Sequence, residues 1–446
     1  MKIKFIAPRE QREDMLSSPF KLQRVNLPLL AALTPSAHTV TLVDEAFAPD
    51  DTDQDVDLVG ITVMTDVVPR AYDIADTYRR QGVRVVMGGI HPTVLPDEAL
   101  EHADAVVVGE AEDIWPRLLS DAASGQMQRL YRPDKMTDLN GLPKPRRDLF
   151  PGTKGNKSYI PAPIGVETSR GCPNDCEFCS IGRTLGSQYR VRPVPEVIAE
   201  IEAIDSPYIF FVDDALALNR NAAKKLFTEM IPLKRLWLGQ GTVSLAEDVE
   251  LLRLMRRSGC LGLLIGFESV QKATQNEVRK IKNLRIDFYE AMRRFHAEGF
   301  GILGAFVLGF DHENSDVFDQ TLEFIMRSRI DCAELRILTP YPGTRLYDRL
   351  LSEGRLFEQD WWLRGYPPDT LLFQPRGMTA EELITGFARL NRQAYSFGAM
   401  TKRFFGMNPW KRGLLGCQVY AGINLATRKR YFKGLNNPQP FVGLPA

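Results

Sequence analysis

The chain has 446 residues, 44% of them hydrophobic, with 56 basic and 56 acidic side chains and a formal net charge of zero. That length allows two to four domains with substantial cores, and nothing in the balance of charge marks a nucleic-acid partner. The charge is uneven, because Thr401 to Ala446 hold eight basic and no acidic residues, which leaves about −8 on the first 400. The opening Met1-Lys2-Ile3-Lys4-Phe5-Ile6-Ala7-Pro8 reads as a short charged strand rather than a signal peptide. No apolar run reaches membrane-span length. Of six cysteines, Cys260, Cys332 and Cys417 are scattered too widely for a disulfide framework, and a reducing cytoplasm is the natural setting.

Residues 1–130 alternate candidate strands (Lys2–Ala7, Thr39–Val43, Leu58–Val63, Arg84–Met87, Ala105–Val108) with amphipathic stretches such as Val25–Leu33 and Arg70–Gln81. Near-continuous Val and Ile runs separated by helices predict a Rossmann or flavodoxin-like α/β domain, its parallel sheet covered on both faces. Gly-rich turns follow two strand ends, Gly88-Gly89-Ile90-His91-Pro92-Thr93 and Gly109-Glu110-Ala111-Glu112. In open α/β sheets the carboxyl ends are where ligands bind. His91, set before Pro92 in such a turn, is read as a loop-shaping residue rather than a ligand. Residues 131–160 are proline-rich and lack periodicity, as a linker would.

Six strand-plus-helix units follow over 161–355. The strands are Ile164–Glu167, Tyr208–Val212, Arg235–Leu238, Leu261–Gly266, Gly301–Val307 and Glu334–Leu338, and the helices lie near 194–204, 221–231, 246–258, 284–298, 315–328 and 344–353. Six units are too few to close an eight-stranded barrel. Directly after the first strand and the turn Ser169-Arg170-Gly171 comes Cys172-Pro173-Asn174-Asp175-Cys176-Glu177-Phe178-Cys179. A C-x3-C-x2-C loop is expected to present three thiolates towards one point, and thiolates are iron–sulfur ligands. A [4Fe–4S] cluster held by three cysteines keeps one iron open to a small molecule. The alternative is three unrelated cysteines that happen to fall within eight residues.

The run Thr168-Ser169-Arg170-Gly171-Cys172-Pro173, with Cys176 and Cys179, closely resembles the cluster loop of radical S-adenosylmethionine (SAM) enzymes. The resemblance implies that Cys172, Cys176 and Cys179 hold a [4Fe–4S] cluster whose open iron is chelated by SAM, and that SAM is cleaved to a 5′-deoxyadenosyl radical. It implies an open (β/α)6 barrel of TIM type, with Phe178 packed over the adenine side. It also offers cosubstrate roles to polar groups at the strand ends: Asp213 and Asp214 for the SAM amino group, Gln240 and Ser244 for ribose or carboxylate, Gly266 for close approach and Glu268 as an acceptor. Arg170 is set to steady a SAM carboxylate or tune the cluster. For Asp213 or Asp214 a helix N-cap is the plainer role, and for Arg170 a surface charge.

Asp57-Leu58-Val59-Gly60-Ile61-Thr62 and the two Gly-rich turns resemble the cobalamin-binding domain that precedes the barrel in one subgroup of that family. This implies a cobalamin site at Thr62, Gly88, Gly89, Gly109 and Glu110. The Asp-x-His-x-x-Gly motif that supplies a lower cobalt ligand is absent, with Pro8-Arg9-Glu10-Gln11-Arg12 in its place. A vestigial domain that only packs or binds substrate is the alternative. Methylthiotransferases are disfavoured, since their N-terminal domain carries cysteines and the first here is Cys172.

Residues 356–446 read as a helical, basic appendage with Trp361, Trp362 and Trp410; the family resemblance implies that it covers the barrel mouth. Lys402-Arg403-Phe404-Phe405 through Lys411-Arg412 mixes cations with aromatics, compatible with weak peripheral membrane contact or, more plainly, with a solvated surface. The expected function is radical SAM chemistry on a small molecule, with cobalamin-dependent methylation leading and an electron donor such as flavodoxin or ferredoxin. Cobalamin-free radical chemistry (cyclisation, hydrogen abstraction, aminocarboxypropyl transfer) and a non-catalytic iron–sulfur protein are the alternatives.

Overall fold

The computed structural model describes residues 1–9, 22–50, 52, 55–150, 162–277, 286–367, 369–406 and 413–435. Near its start, β-branched runs separated by amphipathic segments become parallel strands with helical crossovers. In chain order these are β1 (Lys2–Ala7), α1 (Asn26–Leu33), β2 (Thr39–Asp44), β3 (Leu58–Thr62), α2 (Val68–Arg80), β4 (Arg84–Gly88), α3 (Ile90–Val94), α4 (Pro96–His102), β5 (Ala105–Val107), α5 (Trp115–Ser124) and β6 (Leu130–Tyr131). The sheet order is β2-β1-β3-β4-β5-β6. Every pairing is parallel, so all carboxyl ends share one edge. Val59, Ile61 and Met87 pack with Tyr72 and Tyr78 of α2 on one face. On the other, Phe5, Leu58 and Val107 meet Trp115 and Leu118 of α5. The edge strand β6 was not predicted, because two residues are too few to carry an alternating pattern.

The second sheet grows the same way from β7 (Ile164–Val166), β8 (Ser169–Arg170), α6 (Ile181–Thr184), β9 (Arg190–Val191), α7 (Val194–Glu202), β10 (Tyr208–Phe211), α8 (Arg220–Met230), β11 (Leu236–Thr242), α9 (Val249–Arg257), β12 (Cys260–Glu268), α10 (Lys272–Glu277), α11 (Phe288–Ala297), β13 (Gly301–Leu308), α12 (Asp316–Ser328), β14 (Cys332–Ile337) and α13 (Arg345–Ser352). Six of these strands form a parallel partial barrel in the order β14-β13-β12-β11-β10-β7, while β8 and β9 make a small antiparallel pair. Burial alternates along the strands with period two. Phe211, Trp237, Ile265, Phe267 and Phe306 face the covering helices. Leu238, Gln240, Leu264, Glu268, Ala305 and Val307 stay half-buried or exposed on the concave face.

An open barrel has two edges of unpaired backbone, and both are covered here. At β7 the main chain of Gln23, from the N-terminal segment, pairs with Ile164: Gly165 N donates to Gln23 O at 3.1 Å. A Cβ on Gly165 would sit 2.7 Å from that carbonyl, which explains a glycine inside a strand. At β14 side chains replace a strand. The Tyr395 hydroxyl accepts from Ala333 N at 2.9 Å and donates to Ala333 O. The Tyr431 hydroxyl accepts from Leu335 N at 3.0 Å and donates to Leu335 O at 2.7 Å. Asp369 accepts from Ile337 N at 3.3 Å, and Asn424 donates to Asp331 O at 2.8 Å. These groups come from the C-terminal helices α14 (Ala380–Ala394), α15 (Phe397–Gly406) and α16 (Gly413–Leu435) and the segments beside them.

The ladder makes Tyr431→Phe informative, since the ring still packs while Leu335 loses both backbone partners. Buried groups left unpaired cost about 1–3 kcal/mol. The urea midpoint of the variant is expected to fall accordingly, and an unchanged midpoint would show that the ladder contributes nothing.

Candidate active site

The cysteine loop is pinched between β8 and β9. Gly171 opens it with φ +82°, and a side chain there would strike Gln188 O, so only glycine fits. Cys172 N donates to Gly186 O at 3.3 Å and Cys179 N to Cys176 O at 3.2 Å. None of the three cysteines is in a disulfide, and all are half-buried. Among the described residues no three His, Cys, Asp or Glu side chains close on one ion-sized point. That corrects the expectation of convergence on a point. A cluster takes each thiolate on a different iron, so the donor set still suits one. Burial pushes the Cys179 thiol up, with the charges of Cys172, Asp214 and Glu268 adding to it; ligation must displace that proton. Cys260 and Cys332 are buried, up-shifted thiols remote from the loop.

The far side of the loop leans on α13. Arg345 pairs with Asp175 at 2.6 Å, Arg349 with Glu177 at 2.5 Å, and Leu346 N donates to Glu177 O at 3.1 Å. Arg349 and Arg355 also grip Asp311 at the end of β13, at 2.5 and 2.6 Å. Burial alone would raise Asp311, but those two guanidiniums outweigh it and hold the carboxyl low. The Phe178 ring lies 5.9 Å from Phe310, tying the loop to the same strand end.

The strand-end acids divide into two kinds. Asp213 is 2% exposed and accepts from Thr168 N at 3.1 Å, Thr168 Oγ1 at 2.6 Å and Ser169 Oγ. Its acceptor positions serve the entry to the cysteine loop. Burial pushes it up to about 7. Among the described residues Asp214 accepts one bond, from Gly171 N at 3.2 Å, and burial pushes it to about 6. Glu268 is half-buried on the concave face, at a bulge where β12 slips against β13. Its φ of +61° is a strained value for a residue with a side chain, of the kind that clusters at functional sites. Gln240 is exposed on the same face and Gly266 half-buried. Ser244 Oγ is engaged by Thr242 Oγ1 at 2.8 Å and Arg220 Nη2 at 3.3 Å.

Arg170 and Glu110, expected in two different cofactor sites, are partners. Arg170 reaches across to Glu110 at 3.1 Å and Glu112 at 2.6 Å, and back to Glu167 at 2.8 Å. Arg190 of β9 grips Glu110 with both Nη atoms at 2.7 and 2.8 Å, and Thr137 N donates to the same carboxylate at 2.8 Å. In this arrangement the charges of Arg170 and Glu110 join the two sheets. Burial raises Glu110, but the Arg190 hydrogen bonds and the Arg170 charge outweigh it and hold it below the usual carboxylate range.

Other contacts align the same edges. Helix α3 packs against α6, Tyr341 donates to Asp66 at 3.2 Å, and Trp362 Nε1 donates to Glu98 at 3.0 Å. The carboxyl edge of the first sheet thus faces the cysteine loop and the barrel mouth. Gly89, with φ +107°, is fixed by the turn itself, because a Cβ would meet Val63 O at 2.8 Å; Gly109, with φ +76°, donates its N–H to Thr93 Oγ1 at 2.9 Å. A Cβ on Gly88 would meet nothing nearer than 3.8 Å, and Thr62 Oγ1 accepts from Asn26 at 3.0 Å. His91 is fully buried with Nε2 on Glu98 at 3.0 Å, a loop-shaping residue as expected. The segment 10–12, where the missing motif would lie, is outside the described residues and contains no histidine. The glycine-lined edge and the 43% exposed Met64 just beyond β3 fit a flat cofactor laid on this edge without a protein histidine beneath it.

A three-cysteine loop at the mouth of a parallel partial barrel, opposed by the carboxyl edge of a flavodoxin-like sheet, defines a SAM-dependent radical enzyme with a corrinoid-type partner domain. The sequence matches the model of the radical SAM superfamily over residues 166–325, the B12 binding domain over 15–119 and a domain of unknown function (DUF4070) over 344–409. It is 30% identical over 411 residues to bacteriochlorophyllide d C-12(1)-methyltransferase of Chlorobaculum tepidum, covering 90% of this chain and 89% of that protein. Hopanoid C-2 methylase of Rhodopseudomonas palustris is 27% identical, with 75% of this chain and 65% of the relative covered. The fold is shared with the radical SAM methyltransferase TsrM of Kitasatospora setae, solved with cobalamin and a [4Fe–4S] cluster, at a TM-score of 0.63 and 18% identity over 79% of this chain and 75% of that one. The chain belongs to the radical SAM superfamily, in the branch that carries a B12-binding domain, and it is an enzyme whose family cofactors are a [4Fe–4S] cluster and SAM.

Glu110→Gln keeps the shape of the link and removes its charge, leaving two buried guanidiniums underpaired. Removing one partner from such a network costs about 3–5 kcal/mol. The anaerobic variant is expected to unfold at clearly lower denaturant than wild type, and equal midpoints would refute the assignment. Because the folded-state value of Glu110 is lowered from 4.5, its contribution is present above about pH 4.5 and is lost as the pH falls through that lowered value.

Proposed function

We propose that this enzyme methylates a carbon of a small-molecule substrate, with Cys172, Cys176 and Cys179 holding the cluster, SAM in the barrel mouth and cobalamin between the two sheets. The observation that carries the proposal is the apposition of two carboxyl edges, joined through Glu110, Arg170 and Arg190. The methyltransferase relatives support transfer of a methyl group. When bound, the cluster and SAM supply the 5′-deoxyadenosyl radical, and cobalamin supplies the methyl group. The chain's own residues place and shield those partners. Asp214 and Glu268 carry the negative charge near the cysteine loop that a SAM ammonium would meet, Gln240 offers an amide on the concave face, and Phe178 covers the adenine side. Asp213 shapes the loop entry from behind. Leu238, Leu264, Ala305 and Val307 give the rest of that face an apolar lining, which favours a substrate with an apolar body. A flavodoxin or ferredoxin delivers the electron.

Anaerobic reconstitution with iron, sulfide and hydroxocobalamin tests the proposal. The expected product is one methyl heavier than substrate, with S-adenosylhomocysteine and 5′-deoxyadenosine formed together. Turnover without bound cobalamin would discard the methylase reading in favour of cobalamin-free radical chemistry. Cys176→Ala should lose SAM cleavage, while Cys260→Ala should keep the cluster.

Asp214→Ala and Glu268→Ala each remove a charge-assisted contact of about 1.5–3 kcal/mol, so SAM affinity should drop roughly ten- to a hundred-fold with the cluster spectrum intact. Asp213→Ala should instead lower cluster occupancy. Wild-type SAM binding in both of the first two variants would move the pocket elsewhere.

A further inference from the structure

Residues 383–446 contain ten basic side chains and no acidic one. Among the described residues, every large apolar side chain that is more than half exposed lies in the same region: Phe397 at 63%, Phe405 at 72%, Leu414 at 76% and Leu425 at 51%. The two properties meet on α15 and α16. From Gly413 to Thr427 helix α16 has no charged residue at all. One of its faces, through Tyr420, Asn424 and Tyr431, is buried towards β14 and α15. The opposite positions Leu414, Gln418, Ala421 and Leu425 lie in the open.

Several cations of the region are already committed. Arg403 is buried on Asn424, Arg430 pairs with Glu334, and Arg389 pairs with Asp319. Lys402 and Lys429 are exposed beside the apolar side chains. Arg428 is held between the rings of Phe397 at 4.3 Å and Phe432 at 4.1 Å, which fixes a cation among aromatics at the rim of the patch.

We infer that the α15–α16 face docks on the surface of an anionic lipid bilayer. An apolar face bordered by lysines, on two helices that carry no acid of their own, fits such a surface on both counts. The helix lies on the bilayer, since no helix among the described residues is long and apolar enough to cross one. A second copy is a poorer occupant: a symmetric pairing would bring Lys402 and Lys429 of both chains together with no acid on either helix to neutralise them. The inference stands independently of the radical chemistry.

Sedimentation of the full-length, cluster-loaded protein with vesicles tests it. Vesicles of phosphatidylcholine with phosphatidylglycerol should carry the protein down at low salt, and pure phosphatidylcholine should not. Lys402→Gln and Lys429→Gln should each weaken the partition about five-fold, the equivalent of about 1 kcal/mol per surface cation. Phe405→Ser with Leu414→Ser should abolish it, while SAM cleavage stays at the wild-type level and reports an intact fold. Three results overturn the inference: wild-type protein that remains in the supernatant with anionic vesicles, a serine variant that sediments like wild type, or a wild-type dimer that the serine substitutions dissociate.

Discussion

A single carboxylate organises the molecule. Glu110 ends the fifth strand of the first sheet, is almost fully buried, and receives Arg190 through two nitrogens and Arg170 through a third. Stripping water from such a group is costly, and the geometry returns that cost only when the fork of a guanidinium meets the carboxylate squarely. Arg170 and Arg190 sit on the two short strands that bracket the cysteine loop. The contact that relieves Glu110 therefore also sets the distance and angle between the first sheet's ligand edge and the cluster loop. An Arg-to-Lys change would not serve, because a point charge fixes no angle.

The barrel raises a different problem, and the rest of the chain answers it. Six strands cannot close, so the concave face stays open to hold ligands while two raw edges would invite pairing with other chains. The N-terminal segment caps one edge with a backbone bridge at Gln23. The C-terminal helices cap the other with tyrosine hydroxyls spaced to match every second residue of β14. Neither flanking region is a mere appendage: each completes hydrogen bonding that the barrel leaves unfinished.

How much of this was legible in the sequence follows from the range of each interaction. Parallel strands announce themselves through local Val and Ile runs, and the strands and helices lie within a few residues of the predicted ones. The cysteine loop is legible because its three ligands fall within eight residues. The Glu110–Arg170 and Glu110–Arg190 contacts span 60 and 80 residues, so nothing local in the motif Gly109-Glu110-Ala111-Glu112 distinguishes an interdomain acid from a cofactor ligand. Ser244 and Asp213 meet the same limit, since a polar residue at a strand end gives no sign of whether its partner is a ligand or the neighbouring loop. A usable signal did exist: two arginines flanking the cysteine motif with no obvious anionic substrate call for acidic partners elsewhere in the chain.

The carboxyl groups around the cysteine loop sort themselves by the direction in which the fold moves their protonation. Glu110 and Asp311 are driven down by guanidiniums, so they are ionised, satisfied and structural. Asp213 and Asp214 are driven up by burial, and the charges of Arg170 and Arg190 offset this only in part at Asp214. Among the described residues Asp213 has hydroxyl and amide donors to spread over, whereas Asp214 has a single backbone N–H. A half-buried acid with one donor and a raised value is stabilised most by a cation that arrives from outside, and it is poorest when the pocket is empty. Opposite shifts within one layer of residues thus separate the acids held low by guanidiniums from those that burial drives up.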